Sequence, residues 1–297
     1  MAGNNMRDIK RRIKSVNSME HITKAMKLVS AAKLRKAKNT FDKTQEYMGY
    51  ILEALEGIFH NTSEVPEAYL VGNREIKKTC YIAITSNRGL CGGFNNNVIK
   101  EVQSLMNKAS SESMVVAVGS KGRDYFRKRN ISVEEGYMAP PEDISFLATR
   151  AVSKPILKMY KAGEIDEIVL VYTEFVNAMQ QQVVSKTLLP FEAESLAEIA
   201  SAGDVEKQDR IRREVEYEPS TEAVYDYLIP KYVEILFYGA IVESATCEHA
   251  ARRVAMENAT DNANEMLGKL TLTYNRSRQA AITTEIIEIV SGAEALA

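Results

Sequence analysis

Apolar residues near the start of the chain recur in steps of three and four: Ile9, Ile13, Val16, Met19, Ile22, Met26 and Val29. Lys and Arg stand beside them, which is the pattern of a helix with one narrow buried edge. The stripe changes phase at Met19, so it predicts a supercoiled pair with local register shifts rather than a strict heptad. From Asn39 it resumes through Phe41, Met48, Ile51, Leu52, Leu55 and Ile58. A second long pattern runs through Ile229, Val233, Leu236, Ala240, Ser244, Cys247, Ala251, Val254 and Asn258, a small and polar seam, and then through Met266, Leu270 and Tyr274. Small seam residues let helices approach closely, which makes an antiparallel pair of the two terminal helices the expected arrangement. Ile282, Ile286, Ile287, Ile289 and Val290 then leave an apolar tip, and exposed apolar surface marks a binding site. All seven prolines fall between Pro66 and Pro230. Because an interior proline costs a helix about 3 kcal/mol, both ends are free to run long.

Between these helices the period changes. Cys80 to Thr85, Met114 to Val118 and Glu167 to Tyr172 are short apolar runs, the first two leading into glycine turns and amphipathic stretches. That alternation predicts βαβ units on a parallel sheet. Gln182 to Leu189 reads as a further strand ended by Pro190, and residues 191–218 as an acidic loop or surface hairpin. Ser220, after Pro219, is the expected N-cap of the last helix. The expected division is 1–65 for the N-terminal coiled-coil helix, 66–218 for the α/β domain and 219–297 for the C-terminal coiled-coil helix.

Composition narrows the class. The 297 residues are 45% hydrophobic and 26% charged, with no Trp, and no run of 18 apolar residues occurs, which excludes a transmembrane helix. Cys80, Cys91 and Cys247 show no CxxC spacing, so neither disulfides nor a zinc site are expected. Net charge hides an asymmetry: residues 1–40 hold eleven Lys/Arg against Asp8 and Glu20, a net of +9, so a total of −2 leaves −11 on the remainder. Such a start suits a presequence, a nucleic-acid arm or a surface for an acidic protein. The helical pattern continues unbroken through Phe59, which argues against the presequence.

Candidate chemistry concentrates in Ser86-Asn87-Arg88-Gly89-Leu90-Cys91-Gly92-Gly93-Phe94-Asn95, where a doubly wound sheet binds phosphate. The spacing of Gly89, Gly92 and Gly93 matches neither GxGxxG nor GxxxxGK[ST], so a tight turn closing strand onto helix is the favoured reading. Gly119-Ser120-Lys121-Gly122 is read the same way. A nucleotide-binding enzyme using the Gly89 to Gly93 loop remains the alternative. A basic coiled-coil adaptor for nucleic acid is a second. His21, His60 and His249 lack ligand spacing and are expected to be exposed helical histidines. Cys91 lacks a nearby base, and Glu134-Glu135 reads as solvated loop charge.

Both ends resemble the gamma subunit of F-type ATP synthases. The likeness is carried by Ile9-Lys10-Arg11-Arg12-Ile13, by Ile22-Thr23-Lys24-Ala25-Met26-Lys27-Leu28-Val29-Ser30-Ala31-Ala32-Lys33-Leu34, and by Arg278-Gln279-Ala280-Ala281-Ile282-Thr283-Thr284-Glu285-Ile286 with Ile289-Val290-Ser291-Gly292-Ala293. The Ser86 to Gly92 loop and Ala250-Ala251-Arg252-Arg253-Val254-Ala255-Met256 extend it over essentially the whole chain. The resemblance implies a long antiparallel coiled coil of the terminal helices plus a central Rossmann-like α/β domain. It implies a non-catalytic rotating shaft inside a ring of alpha and beta subunits, standing with the epsilon subunit on the c-ring of the membrane sector. No cofactor, metal or nucleic acid is implied, and membrane association is indirect. By the same resemblance, Lys24, Met26, Lys27 and Arg252 form a collar against an acidic segment of the beta subunits. Arg278, Gln279, Thr283 and Glu285 contact a beta-subunit loop near the shaft tip. Residues 191–218 hold no cysteine, unlike the chloroplast form. Together with the unbroken N-terminal helix, this implies a bacterial subunit on the cytoplasmic face of the membrane.

Overall fold

The computed structural model describes residues 2–61, 69, 75–135, 145–191 and 220–294. The expected loop at 192–218 and the side chains of Ile51, Leu52, Leu55, Ile58 and His60 lie outside these. In order, the elements are α1 (Ala2–Asn61), β1 (Lys78–Ile84), α2 (Phe94–Lys108), β2 (Glu112–Val118), α3 (Ser120–Arg127), β3 (Val133–Glu135), α4 (Phe146–Ala162), β4 (Glu167–Phe175), β5 (Gln181–Leu189) and α5 (Thr221–Glu294). They group into two compact units, one of residues 32–251 and one made by residues 1–31 with 252–297. The expected three-part division follows element boundaries, whereas these units divide both long helices.

In the α/β unit the sheet order is β3-β2-β1-β4-β5. The pairs β3/β2, β2/β1 and β1/β4 are parallel, and β5 runs antiparallel to β4. Alternate residues of β1, β2 and β4 enter opposite cores, as the two-residue period requires. Cys80, Ile82 and Ile84, with Met114, Val116 and Val118 and with Ile168 and Leu170, meet α4 through Ile156, Leu157 and Tyr160. The same face is covered by Tyr225, Ile229, Val233, Phe237 and Ile241 of α5. Tyr81, Ala83, Val115, Val169 and Val171 meet Val98, Ile99 and Val102 of α2 and Phe126 of α3. Burial on both faces explains why the strands read as continuous apolar runs.

Three expectations change here. Glu134 and Glu135 belong to the edge strand β3, opposite Val116 and Ala117, rather than to a loop. His249 is buried, whereas His21 is exposed. The small seam residues 240–247 pack on the sheet as well as permitting helix approach. Ala240 joins the sheet core, the Ser244 hydroxyl accepts from the Thr173 amide at 3.4 Å, and Cys247 packs on Cys91 and Phe94. α1 approaches closely at Gly239, where a Cβ would collide with the Met48 sulfur.

Ser220 caps α5 as expected, its hydroxyl accepting from the Ala223 amide at 3.2 Å. The helix then passes through Pro230 without ending. Pro230 has no N–H for the Asp226 carbonyl. Complete burial of Tyr225, Ile229 and Phe237 offsets that loss, at about 1.5–3 kcal/mol for each large apolar side chain.

The buried edge of α1 also differs from the expected stripe. Ile9, Val16, Thr23, Ser30, Ala37 and Thr44 are buried at intervals of seven. Ile13, Glu20, Lys27, Leu34, Phe41 and Met48, again seven apart, are buried or half-buried. This is a strict heptad. Its polar members hide it from a search for apolar residues, while Met19, Ile22 and Val29 are 55%, 60% and 56% exposed.

Candidate partner-contact sites on the helix pair

Within the unit of residues 1–31 and 252–297, two contacts fix α1 and α5 as antiparallel. Lys27 Nζ lies 2.8 Å from Glu257 Oε1, and the buried hydroxyls of Thr23 and Thr260 lie 2.9 Å apart. Arg253 adds a second cation 3.3 Å from the other Glu257 oxygen. The hydrogen bond and charge of Lys27 hold the Glu257 carboxyl below its usual range. Nearby, the buried Glu20 carboxylate meets His21 at 3.2 Å and Lys24 at 3.7 Å.

The four collar residues therefore face differently. Lys24 is exposed and Met26 half-buried; Lys27 is committed to Glu257, and Arg252 is buried at 8% exposure. Of the other N-terminal charges, Arg7, Lys10, Arg11, Arg12 and Lys14 are all exposed.

Toward the other end of this pair, Thr260, Ala263, Leu267, Leu270, Tyr274, Ser277 and Ala281 continue the α5 seam as buried or half-buried residues. In the register set by Lys27 and Glu257, the start of α1 at Ala2 is level with about residue 281. Beyond it on α5, Ile282, Ile286, Ile287, Ile289 and Val290 are 48–71% exposed. Arg278, Gln279, Thr283 and Glu285 are exposed on the same stretch. The Thr283 hydroxyl donates to the Gln279 carbonyl at 2.9 Å, which leaves its lone pairs to accept.

The loop after β1 is built differently. Three amides at the start of α3, which in a phosphate-binding sheet would face a ligand, are occupied from within. Ser120 N donates to Asn87 Oδ1 at 2.9 Å, Lys121 N to Ser86 O at 3.1 Å, and Gly122 N to Thr85 Oγ1 at 2.9 Å. Gly119, at φ 92°, has no room for a Cβ against the Thr85 carbonyl. Asn95 closes the turn from α2, its Oδ1 accepting from the Ser86 amide at 2.8 Å. Cys91 is buried beneath this network. Thr85 to Asn87 thus tie the end of β1 to the start of α3, and Asn95 ties it to α2. Burial also pushes the Cys80 thiol up to about 12 and raises that of Cys247.

Comparison with known proteins now adds to the geometry. A family model described as ATP synthase matches residues 5–296. An ATP synthase gamma chain from Alkaliphilus metalliredigens is 48% identical over 294 residues, covering 99% of each chain. This chain belongs to the ATP synthase gamma-chain family. The sodium-ion-specific gamma chain of Acetobacterium woodii is 42% identical, with 98% of this chain and 99% of that one covered. Among solved structures, a chain of the Euglena gracilis mitochondrial ATP synthase superposes with a TM-score of 0.70 over 99% of this chain and 95% of that one. At 21% identity that likeness concerns the fold.

For a gamma chain the informative residues missed by the search for apolar stripes are the polar seam members Glu20, Thr23, Glu257 and Thr260. For Glu20, Thr23 and Thr260 the signal was present as a seven-residue spacing. It becomes visible only when Thr, Ser and Glu are allowed at core positions. A second basic cluster, Lys121, Arg123, Arg127, Lys128 and Arg129 on and just after α3, also escaped the search because the +9 start dominated the charge pattern.

Proposed function

We propose that this gamma chain is the central rotor shaft of an F-type ATP synthase, coupling proton or sodium ion flow through a membrane c-ring to ATP synthesis or hydrolysis in an alpha/beta hexamer. The observation that carries the reading is the end of α5: a single helix from Ile282 onward, apolar and exposed, in a chain whose family relationship spans nearly its full length. Such a tip needs a surrounding apolar sleeve. Arg278, Gln279, Thr283 and Glu285 meet a beta-subunit loop beside it. Lys24 and Met26 make the collar contact with an acidic beta-subunit segment, while Lys27 is held by Glu257 and Arg252 is buried. The epsilon subunit and c-ring attach to the α/β unit, which places the chain peripherally on the cytoplasmic face of a bacterial membrane. The chain itself performs no chemistry.

The mechanism is linkage. Three chemically identical catalytic sites differ because an asymmetric shaft touches each beta subunit differently, and a difference in contact free energy is what biases each site between open and closed states. Turning the shaft permutes those biases. The ring can do work on the shaft only if α5 keeps a continuous backbone, and no proline interrupts it after Pro230.

The test is co-purification with alpha and beta subunits, followed by single-molecule rotation. Full-length chain is expected to assemble and rotate, whereas a chain ending at Asn275 assembles weakly or delivers reduced torque while its α/β unit keeps its melting temperature. Unchanged torque after that truncation would overturn the tip assignment. Stoichiometric, tight ATP binding by the chain alone would restore the nucleotide-binding alternative.

A further inference from the structure

We propose that α3 presents an electrostatic docking surface for anionic phospholipid headgroups. Lys121, Arg123, Arg127, Lys128 and Arg129 fall within nine residues, with Asp124 as the single acid among them. Asp124 is engaged by Arg123 at 2.8 Å. Lys121, Arg127, Lys128 and Arg129 are exposed, and outside the first 40 residues the chain is otherwise strongly acidic. A basic last turn does favour a helix C-terminus through its dipole. One cation suffices for that, and here three follow one another at Arg127 to Arg129.

The surface is also preorganised. The Arg129 guanidinium lies 3.7 Å from the centre of the Tyr125 ring, and the Tyr125 hydroxyl donates to Gln103 Oε1 of α2 at 3.1 Å. The two apolar residues of α3 do not point outward: Phe126 is fully buried and Tyr125 half-buried. A surface with cations and no protruding apolar anchor suits a headgroup layer, which it can touch without inserting. Position within the α/β unit agrees. Lys38 and Phe41 of α1, and Cys247 and Ala251 of α5, pack at the carboxyl ends of β1 and β4. Helix α3 runs back from the carboxyl end of β2, so Arg127 to Arg129 stand at the opposite edge of the sheet.

This inference rests on the rotor reading, and it offers the rotor something a protein contact does not. A fluid headgroup layer has the same average potential at every angle, so it steadies a turning body without favouring one orientation.

The test uses the full chain and large unilamellar vesicles. Co-flotation is expected with vesicles containing phosphatidylglycerol in phosphatidylcholine at low salt, but not with phosphatidylcholine alone, and it should vanish at high salt. Neutralising Lys121, Arg127, Lys128 and Arg129 together to Gln should lower partitioning by roughly fivefold per cation removed. The matching variant at Lys10, Arg11, Arg12 and Lys14 should retain most binding. Loss of binding in the N-terminal variant, with none in the α3 variant, would overturn the proposal, as would binding to purified c-ring in phosphatidylcholine but not to phosphatidylglycerol. Circular dichroism separates loss of the surface from loss of fold. A chain that assembles with alpha and beta subunits and rotates, yet ignores anionic vesicles, would retain the proposed function and refute this surface alone.

Discussion

The α/β unit and the helix pair are held together in different ways. In the α/β unit the two sheet faces bury Ile, Val, Leu and Phe, and the hydrogen bonds of the β1 loop are satisfied by neighbouring loop and helix atoms. The helix pair buries Glu20, Thr23, Thr260 and Arg252 in its seam and leaves Met19, Ile22, Ile286 and Ile289 outside. The α/β unit also buries Glu234, Glu243 and Glu248 of α5, beside an apolar sheet core. In the helix pair, a seam with buried polar groups fixes register, since any slip leaves those groups without partners. Its exposed apolar residues are the surface on which the proposed partner contacts lie.

The sharpest break in this comparison is Gly119→Ala. At φ 92° and against the Thr85 carbonyl, a Cβ meets both backbone strain and a collision with atoms that cannot yield. A loss on the order of 4 kcal/mol is expected, a fall in melting temperature of roughly 10 °C or more in calorimetry, with the α/β unit lost first. Unchanged melting would mean that the loop is not the rigid tie described above. Among the described residues of the helix pair, Gly268 and Gly292 have open space around them.

The next effect tests the register of α1. Val16→Asp puts a carboxylate into the buried seam and should cost about 3 kcal/mol, while Met19→Asp, three residues on, should stay within about 0.5 kcal/mol. Hydrogen exchange over residues 10–30 reads both. Equal costs would restore the stripe through Met19 and Ile22 and remove the heptad. This is also where the sequence was least legible. The long helices, the β1, β2, β4 and β5 strands and the Ser220 cap were readable because apolar period and capping chemistry act locally. The seam of α1 was not, because its partner supplies the reason for burying Glu20 and Thr23. The three-residue β3 is too short to show a period, and it pairs only because β2 lies beside it. Of the proposed contact residues, the exposure of Lys24 and of the α5 tip could be anticipated from charge and from helix length. The commitment of Lys27 to Glu257 depends on a residue 230 positions away.

A smaller effect separates specificity from stability in the seam. Thr23→Val alone leaves the buried Thr260 hydroxyl with the Met256 carbonyl at 2.8 Å and without its partner across the pair. A cost of about 1 kcal/mol is expected. The double variant Thr23→Val with Thr260→Val replaces both hydroxyls by methyl groups and should recover most of it, a coupling measurable in a double-mutant cycle. If the two costs simply add, the hydroxyls do not interact and the seam is polar for another reason.

The weakest expected effect is the pH dependence of the Lys27 and Glu257 pair. Lys27 holds the Glu257 carboxyl below its unfolded value, so the folded state binds that proton less readily than the unfolded one. The contribution is therefore present above the ordinary glutamate pKa and fades as pH falls through the lowered folded value. Glu257→Gln should melt slightly below the parent chain at neutral pH, and the two curves should converge in the acid range. Because Glu257 and Lys27 both reach solvent, salt should narrow the neutral-pH gap as well. A gap that persisted in acid would assign the effect to packing of the glutamate side chain and not to its charge. The register of the pair would then rest on Thr23 and Thr260 and on the apolar seam members, with Lys27 left available for the collar contact.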